Sequence, residues 1–520
     1  MVDWVALSVF LFFFVAVTVL GFVAARWRAG DLTQLHEWGL GGQRFGTVIT
    51  WFLLGGDFYT AYTVIAVPAA VFGTGAAGFF ALPYTIVVYP IVFLLMPRLW
   101  NVARHHAYVT PADFIRGRYG SDLLALAVAL TGILAVMPYI ALQLVGMQVV
   151  IAAMGIGGSG AAKDIPIVIA FVILAAYTYA SGLRAPAMIA LVKDTMIYIF
   201  VLVAIVVVPL KLGGYGHIFA LAQAHFAASP GGGGIILGPK GYWAYATLAL
   251  GSALAAFMYP HTITGVLGAS SGDVVKRNAA ILPAYTLLLG LIALLGYMVI
   301  AAGLHPGAPS LAVPVLFKAL FPSWFSGFVF AAIAIGGLVP AAIMSIAAAN
   351  LWTRNIYKAH LRPGLSGPQE ASTAKLASLV VKFGALAFVI WVPTQYAINL
   401  QLLGGIWIVQ TFPAIAFGLY RRWFHDRALL IGWLGGMVAG TWMSFSQGVK
   451  PLFPLAGATV YIGVSSLLLN LAIVLVLTPL LDSLKIARRP DETVDSEYSS
   501  PPAARPVLLG QPPLGEPEPF

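Results

Sequence analysis

The stretch 52-FLLGGDFYTAYTVIAVP-68 lies inside one long apolar run. It carries Gly55 and Gly56, then Asp57, then aromatics and hydroxyls, and ends at Pro68. An aspartate at the centre of a membrane helix costs roughly 2.5–3.5 kcal/mol on insertion scales. Two glycines weaken the helix just before the acid. A break there exposes backbone carbonyls, which suit a small cation, and a half-helix N-terminus, which suits an anion. A structural hydrogen bond from Asp57 to a neighbouring helix is the alternative that the residues alone leave open.

The surroundings justify treating this run as a membrane span. Of 520 residues, 60% are hydrophobic and 9% charged, against about 25% charged in soluble domains, and the mean hydropathy is +0.92. A soluble chain of this composition could not cover its surface, so lipid is the expected solvent. The absence of cysteine excludes disulfides, thiolate metal sites and cysteine nucleophiles. The net charge of +10 does not point to nucleic acid, because the basic residues lie between apolar runs. The first run, 4–25, is too long for a cleavable leader and has no basic residues before it, so it reads as a span.

At about 20 apolar residues per crossing, thirteen spans are expected: 4–25, 47–73, 77–100, 121–154, 163–182, 186–212, 241–268, 278–303, 324–352, 375–392, 397–420, 427–446 and 456–482. Assigning the loops alternately puts Arg26, Arg28, Arg44, Arg104, Arg354, Arg421 and most other basic residues on one side. Only Lys163, Lys211, Lys240, Lys318 and Lys450 fall on the other. The positive-inside rule then places the N-terminus outside and the C-terminus in the cytoplasm, as expected of a multi-pass plasma-membrane protein, the inner membrane in a bacterium. The outer loop 213–240, with its SPGGGG, reads as flexible or as a small lid. The Pro-, Ser- and Glu-rich segment 485–520 reads as a disordered tail.

Asp57 is the only carboxylate expected far from both ends of a span. A second span has matching punctuation: 250-LGSALAAFMYPHTITGVLG-268 opens with Gly251-Ser252 and is interrupted at Tyr259-Pro260-His261. His261 is the only histidine inside an expected span; beside an interrupting proline it is a candidate for binding or proton transfer. The two punctuated spans are the second and the seventh. They are equivalent if the core is two units of five helices. Because five is odd, the second unit is inverted. Gly/Pro-interrupted helices at matching positions of two halves are the sequence signature of a transporter site. The chain thus divides into a peripheral first helix (1–25), a transport core of helices 2–11 (47–420), two peripheral helices (427–482) and the tail (485–520).

Six stretches add a resemblance: 39-GLGGQRFG-46, 110-TPADFIRGRYGS-121, 177-YTYASGLRA-185, 259-YPHTITGVLGASSGDVVKRN-278, 353-TRNIYK-358 and 395-QYAINLQLLGGIWIVQTFPAIAFGL-419. In order and spacing they resemble the sodium:solute symporter family, and the last is similar to its monocarboxylate permease branch. The resemblance implies an all-α, leucine-transporter-type five-plus-five inverted repeat working by alternating access. It also implies cation-coupled import of short monocarboxylates such as lactate, pyruvate, acetate, propionate or alanine. Its substrate helices bring Phe58, Tyr59 and Thr60, then Tyr139 beside Pro138, Gln143, Tyr259, His261 and Gln410. Gly55, Gly56, Asp57, Pro340 and Ser345 are the ion-coupling candidates, with sodium expected at Gly55, Asp57 and Ser345. Expected partners are a small carboxylate and lipid, and no cofactor beyond Na+ or H+.

Some residues depart from the family pattern. The hydroxyl pair expected on the ninth span falls on Val339-Pro340, and the nearby hydroxyl is Ser345. Ser181 stands where a glycine is usual, and the Asp57–Pro68 spacing is one residue longer than the family pattern leads one to expect. Sodium is the expected coupling ion, and a proton carried by the buried carboxylate is the alternative. A different solute (an amino acid, a vitamin or a sugar) is the other alternative. Lys193-Asp194 reads as a snorkelling lysine with its paired acid, and Asp113, Arg116 and Arg118 as anchors of an inner loop. No continuous polar stripe suggests a channel, no long soluble domain a sensor, and no P-loop, H-E-x-x-H or triad an enzyme.

Overall fold

The computed structural model describes residues 2–27, 30–156, 164–229, 233–391 and 402–500. Arg28, Lys163, residues 230–232 of the expected lid, the start of the eleventh span at 397–401 and residues 501–520 of the expected tail lie outside these. Among the described residues nine helices are long and apolar enough to cross a membrane. They are Trp4–Arg26, Thr47–Thr74, Ala76–His105, Asp122–Ala153, Arg184–Lys211, Gly272–Ala301, Ser323–Leu361, Asp426–Ser446 and Ile462–Ser483. The other four expected positions hold Ile165–Ser181, the pair Tyr242–Ala256 and Pro260–Leu267, Gly367–Trp391, and Leu402–Phe417.

The elements used below are α1 (Trp4–Val23), α2 (Leu35–Leu40), α3 (Thr47–Phe58), α4 (Ala61–Thr74), α5 (Ala81–His105), α6 (Pro111–Tyr119), α7 (Asp122–Ala153), α8 (Ile165–Ser181), α9 (Arg184–Lys211), α10 (Tyr215–Ala228), α11 (Tyr242–Ala256), α12 (Pro260–Leu267), α13 (Gly272–Ile281), α14 (Pro283–Ala301), α15 (Ala312–Leu320), α16 (Ser323–Leu351), α17 (Gly367–Trp391), α18 (Leu402–Phe417), α19 (Asp426–Ser446) and α20 (Ile462–Ser483).

Composition sorts the bundle into centre and rim. The apolar stretch of α16 is 100% buried, whereas those of α1 and α20 are 28% buried. Small residues explain this: α16 runs through Ala331, Ala332, Ala334, Gly336, Gly337, Ala341 and Ala342, so neighbours approach its backbone. A Cβ on Gly337 would stand 2.9 Å from the Gln143 carbonyl, and one on Gly327 2.3 Å from the Ala6 carbonyl. Around this pillar pack α7, α1, α9 and α17, while α19 and α20 pair with each other. Large apolar side chains on α1, such as Phe12 and Val15, point outward, as lipid-facing surface does.

Both punctuated spans are interrupted. The second is α3 followed by α4, with Tyr59 and Thr60 out of helical geometry; the seventh is α11 followed by α12, interrupted at Phe257–Tyr259. Backbone stitches them together at one end: Phe45 N–H donates to the Gly268 carbonyl (3.2 Å), and Ser270 N–H to the Phe45 carbonyl (2.9 Å).

The end of the bundle that gathers the basic loops is closed by ion pairs. Glu37 of α2 accepts from Arg44 (2.7 Å) and Arg184 (2.5 Å). Burial disfavours its charge, but hydrogen bonds from His36 and Arg184 and the two guanidinium charges outweigh that and hold its pKa at about 2. Asp113 caps α6 and binds Arg354 (2.9 Å) and Asn355 (2.7 Å).

Beside the helices the fold includes a small antiparallel hairpin, β1 (Leu452–Leu455) with β2 (Ala458–Tyr461). Two expectations need correction. The loop 213–240, expected to be flexible or a small lid, contains the helix α10, packed on α14. The tail is ordered up to residue 500: Asp491 pairs with Arg118 (2.9 Å), Glu497 with His106 (2.8 Å), and Tyr498 is buried. Its polarity there serves to meet the basic rim, which composition alone does not reveal.

Candidate functional site

The break in the second span has a local cause. Thr60 and Thr63 form a capping box, the Thr63 amide donating to Thr60 Oγ1 (3.3 Å) and the Thr60 amide meeting Thr63 Oγ1 (3.5 Å). Thr63 Oγ1 also donates to the Phe58 carbonyl (2.5 Å). A new helix therefore starts at Ala61, and the old one ends at Phe58, one residue after the acid rather than at the glycines. In the seventh span Pro260 occupies the first position of α12, where its missing N–H is harmless and its φ is already helical.

The two breaks lie side by side. Thr262 Oγ1 donates to Asp57 Oδ2 (3.2 Å), and His261 Nε2 is 3.5 Å from the same oxygen. Asp57 and His261 are 5% and 3% exposed. Asp57 Oδ1 and His261 Nδ1 have no hydrogen-bond partner among the described residues. Tyr139 packs against both Tyr259 and His261, with ring centroids 5.7 and 5.6 Å apart. These groups line a cavity of about 90 Å³ together with Phe58, Thr63, Tyr84, Ser252, Thr262 and Tyr461. One water needs about 10–15 Å³, so the cavity admits a handful of water-sized groups.

The structure thus brings Asp57, Phe58, Tyr139, Tyr259 and His261 into one wall. It places the other candidates elsewhere. Tyr59 is buried against Tyr285 (4.8 Å), and Thr60 is spent on its cap. Gln143 is buried on α7 and donates to the Tyr139 carbonyl (3.4 Å). Gln410 is buried between α18 and α20, donating to Ser466 (2.9 Å) and accepting from Asn470 (3.2 Å). Sequence reasoning passed over Thr262, Tyr84, Ser252 and Tyr461. Thr262 was recoverable, since it directly follows His261, whereas Tyr461 reaches the cavity from the hairpin and carries no local signal.

The two glycines act through closeness. A Cβ on Gly55 would lie 2.1 Å from the Tyr285 ring, and one on Gly56 2.7 Å from Asp194 Oδ2 and 2.8 Å from Lys193 Nζ. Lys193 and Asp194 are fully buried beneath the break, paired at 2.9 Å. The snorkelling reading of this pair is therefore wrong, and Asp57 is not the only deep carboxylate. Nothing within α9 itself signals that it turns these residues inward toward α3. On α16, Gly336 faces Thr60 and Ala61 across the break. Ser345 lies further along the same helix, about 13 Å at about 1.5 Å per residue, and donates to the Ala342 carbonyl (2.8 Å).

A helical membrane scaffold with two broken spans meeting at a small, half-polar cavity defines a secondary transporter rather than an enzyme. Residues 38–449 match the sodium:solute symporter family, and the chain belongs to that family. It is 59% identical to a monocarboxylate transport permease protein of Rhizobium johnstonii, over 92% of this chain and 98% of that one. It is 34% identical to the uncharacterized symporter YodF of Bacillus subtilis, over 89% and 91%. Among solved structures it resembles a Na+-coupled sialic acid symporter in a substrate-bound outward-open state, with a TM-score of 0.76 and 14% identity over 94% of this chain and 99% of that one. The fold is the leucine-transporter-type inverted repeat.

Proposed function

We propose that this protein imports short-chain monocarboxylates, such as lactate, pyruvate, acetate, propionate or alanine, together with a cation by alternating access. It would do so across a plasma membrane, the inner membrane in a bacterium, with its N-terminus outside and its C-terminus in the cytoplasm. The observation that carries the reading is the unpaired Asp57 oxygen in a cavity sized for a few atoms. Two like charges about 5 Å apart repel by roughly 3 kcal/mol at an effective dielectric of about 20, or about two orders of magnitude in binding. A carboxylate solute can settle beside Asp57 only when a positive charge neutralises the site, and that requirement ties solute to cation. Tyr139, Tyr259 and the ring N–H of His261 would supply donors to the solute.

The family name and the sialic acid symporter support sodium as the cation, held by backbone at Gly55 and Gly56 with Asp57, Pro340 and Ser345. The distance of Ser345 from the break and the oxygen-free side chains of Val339 and Pro340 favour the second reading, a proton. The deciding experiment reconstitutes the protein into vesicles and follows labelled pyruvate or lactate under a sodium gradient and then under a proton gradient. Accumulation under one gradient supports symport and names the ion; equal uptake with neither overturns coupling. Failure of both solutes in counterflow overturns the substrate class.

A further inference from the structure

We infer that Tyr461 is a specificity-determining residue of the transport site: its phenol ring closes the hairpin end of the cavity and limits the solute to short chains. The inference rests on the reading above of the protein as a monocarboxylate symporter and names the group that sets chain length.

The cavity has two unlike ends. Asp57, His261 and Thr262 gather at the breaks. Away from them the lining is Ala255, Ala256, Leu402, Gly405 and Tyr461, none of them charged. Chain order separates the two groups: Tyr461 packs on Gly251, eleven residues before Thr262. A carboxylate head belongs with the donors and the cation at the breaks. Its hydrocarbon tail is then left to the uncharged end, where burial favours it.

Backbone places the ring at that end. The hairpin sets Leu452 opposite Tyr461, and the Ile462 amide donates to the Pro451 carbonyl (2.9 Å). The Tyr461 amide donates to Thr247 Oγ1 on α11 (2.8 Å), and its hydroxyl to the Leu402 carbonyl at the start of α18 (3.4 Å). Glycines from α11, α20 and α18 clear the slot. A Cβ on Gly251 would lie 2.4 Å from the ring, one on Gly463 also 2.4 Å, and one on Gly405 2.9 Å from the hydroxyl. Tyr461 is 1% exposed. Held at its amide and at its hydroxyl, the ring is a fixed stop and not a swinging side chain.

Volume turns the stop into a length limit. At about 10–15 Å³ per water, about 90 Å³ holds roughly six to nine water-sized groups. Pyruvate or lactate with one cation fills most of that, and each further methylene presses on the ring. A methylene that finds apolar space strengthens binding roughly fourfold, whereas one forced into a packed wall weakens it. Tyr461 thus converts a series that would tighten with length into one that weakens.

Competition against labelled pyruvate counterflow in vesicles tests this, with straight-chain 2-oxo acids from pyruvate to 2-oxooctanoate as competitors. These acids stay ionised and do not leak through lipid. For the wild type the inhibition constant should rise about tenfold or more between 2-oxobutyrate and 2-oxohexanoate. For Tyr461→Ala it should fall instead, roughly fourfold per methylene. Tyr461→Phe keeps the ring and should restore the wild-type order. Should Tyr461→Ala fail to fold, Gly405→Ala decides from the other side. Its methyl presses toward the Tyr461 hydroxyl and should raise the inhibition constant of 2-oxobutyrate relative to that of pyruvate. A wild type that favours longer chains, a wild-type order in Tyr461→Ala, a relaxed order in Tyr461→Phe or an unchanged ratio in Gly405→Ala overturns the inference alone, since pyruvate exchange is intact in each. Wild-type vesicles that exchange neither pyruvate nor lactate overturn the substrate class and this inference with it.

Discussion

Asp57 and its neighbours act through single atoms. Asp57→Asn keeps the shape of the side chain and the bond from Thr262 but removes the charge. We expect it to insert and fold while accumulation of labelled pyruvate is abolished; normal accumulation would remove Asp57 from the mechanism. Gly56→Ala must push the Lys193–Asp194 pair aside, and overpacking of this kind costs about 1–3 kcal/mol, to be read as a lowered melting temperature with lost uptake. At the basic end, Glu37 is held at about pKa 2 by its hydrogen bonds and guanidinium partners against the cost of burial. A depressed carboxylate pKa stabilises the fold fully above its ordinary value and loses that contribution as pH falls through the folded value. The stability gap between wild type and Glu37→Gln should therefore be constant from neutral pH down to about 5 and close toward pH 2. That Asp57, His261 and Tyr259 meet at one cavity was legible because a charge, a lone histidine and a proline stand out in apolar runs. Lys193 was misread because sequence gives distance from a helix end and not the direction a side chain faces.

At the scale of elements, spacing of apolar runs placed a helix at each of the thirteen expected positions, nine of them long and apolar enough to cross a membrane among the described residues. α7, for instance, runs Asp122–Ala153 where 121–154 was expected. The breaks were legible through Gly55-Gly56 and Pro260, but their positions depend on caps. Thr60 and Thr63 move the first break beyond the acid, and glycine pairs read as weak points prove to be contact points. Gln410 was assigned to the cavity by position along α18, while its rotation about the helix axis was invisible. Pro260 opens α12 without replacing a hydrogen-bonded amide, so Pro260→Ala should change stability by no more than about 1 kcal/mol. It should nonetheless slow pyruvate uptake, by allowing α11 and α12 to join. Unchanged uptake kinetics would show that the interruption does not depend on the proline.

Across the whole molecule, the polar segment 485–500 lies over the basic end, where Asp491 and Glu497 meet Arg118 and His106 and Tyr498 is buried near Arg98. Burial raises the Glu497 pKa, but the Val494 amide and the charges of His106 and His105 prevail and lower it. Removing residues 488–520 should leave an inserted, folded protein that melts at lower temperature and is cut faster by trypsin near Arg421 and Arg422. The sequence could not show this packing, since its partners lie nearly four hundred residues away.

The backbone stitch between Phe45 and residues 268–270 has a mechanical consequence. It joins the foot of one interrupted span to the foot of its inverted counterpart through amides and carbonyls, which no side-chain replacement can remove. The pair must then tilt as one rigid lever, with its sliding surface elsewhere in the bundle. The natural lack of cysteine gives a clean background for paired spin labels. Labels at Val48 and Ser270 should keep one separation with and without solute, whereas a label at Val48 and another at Trp324 should report two.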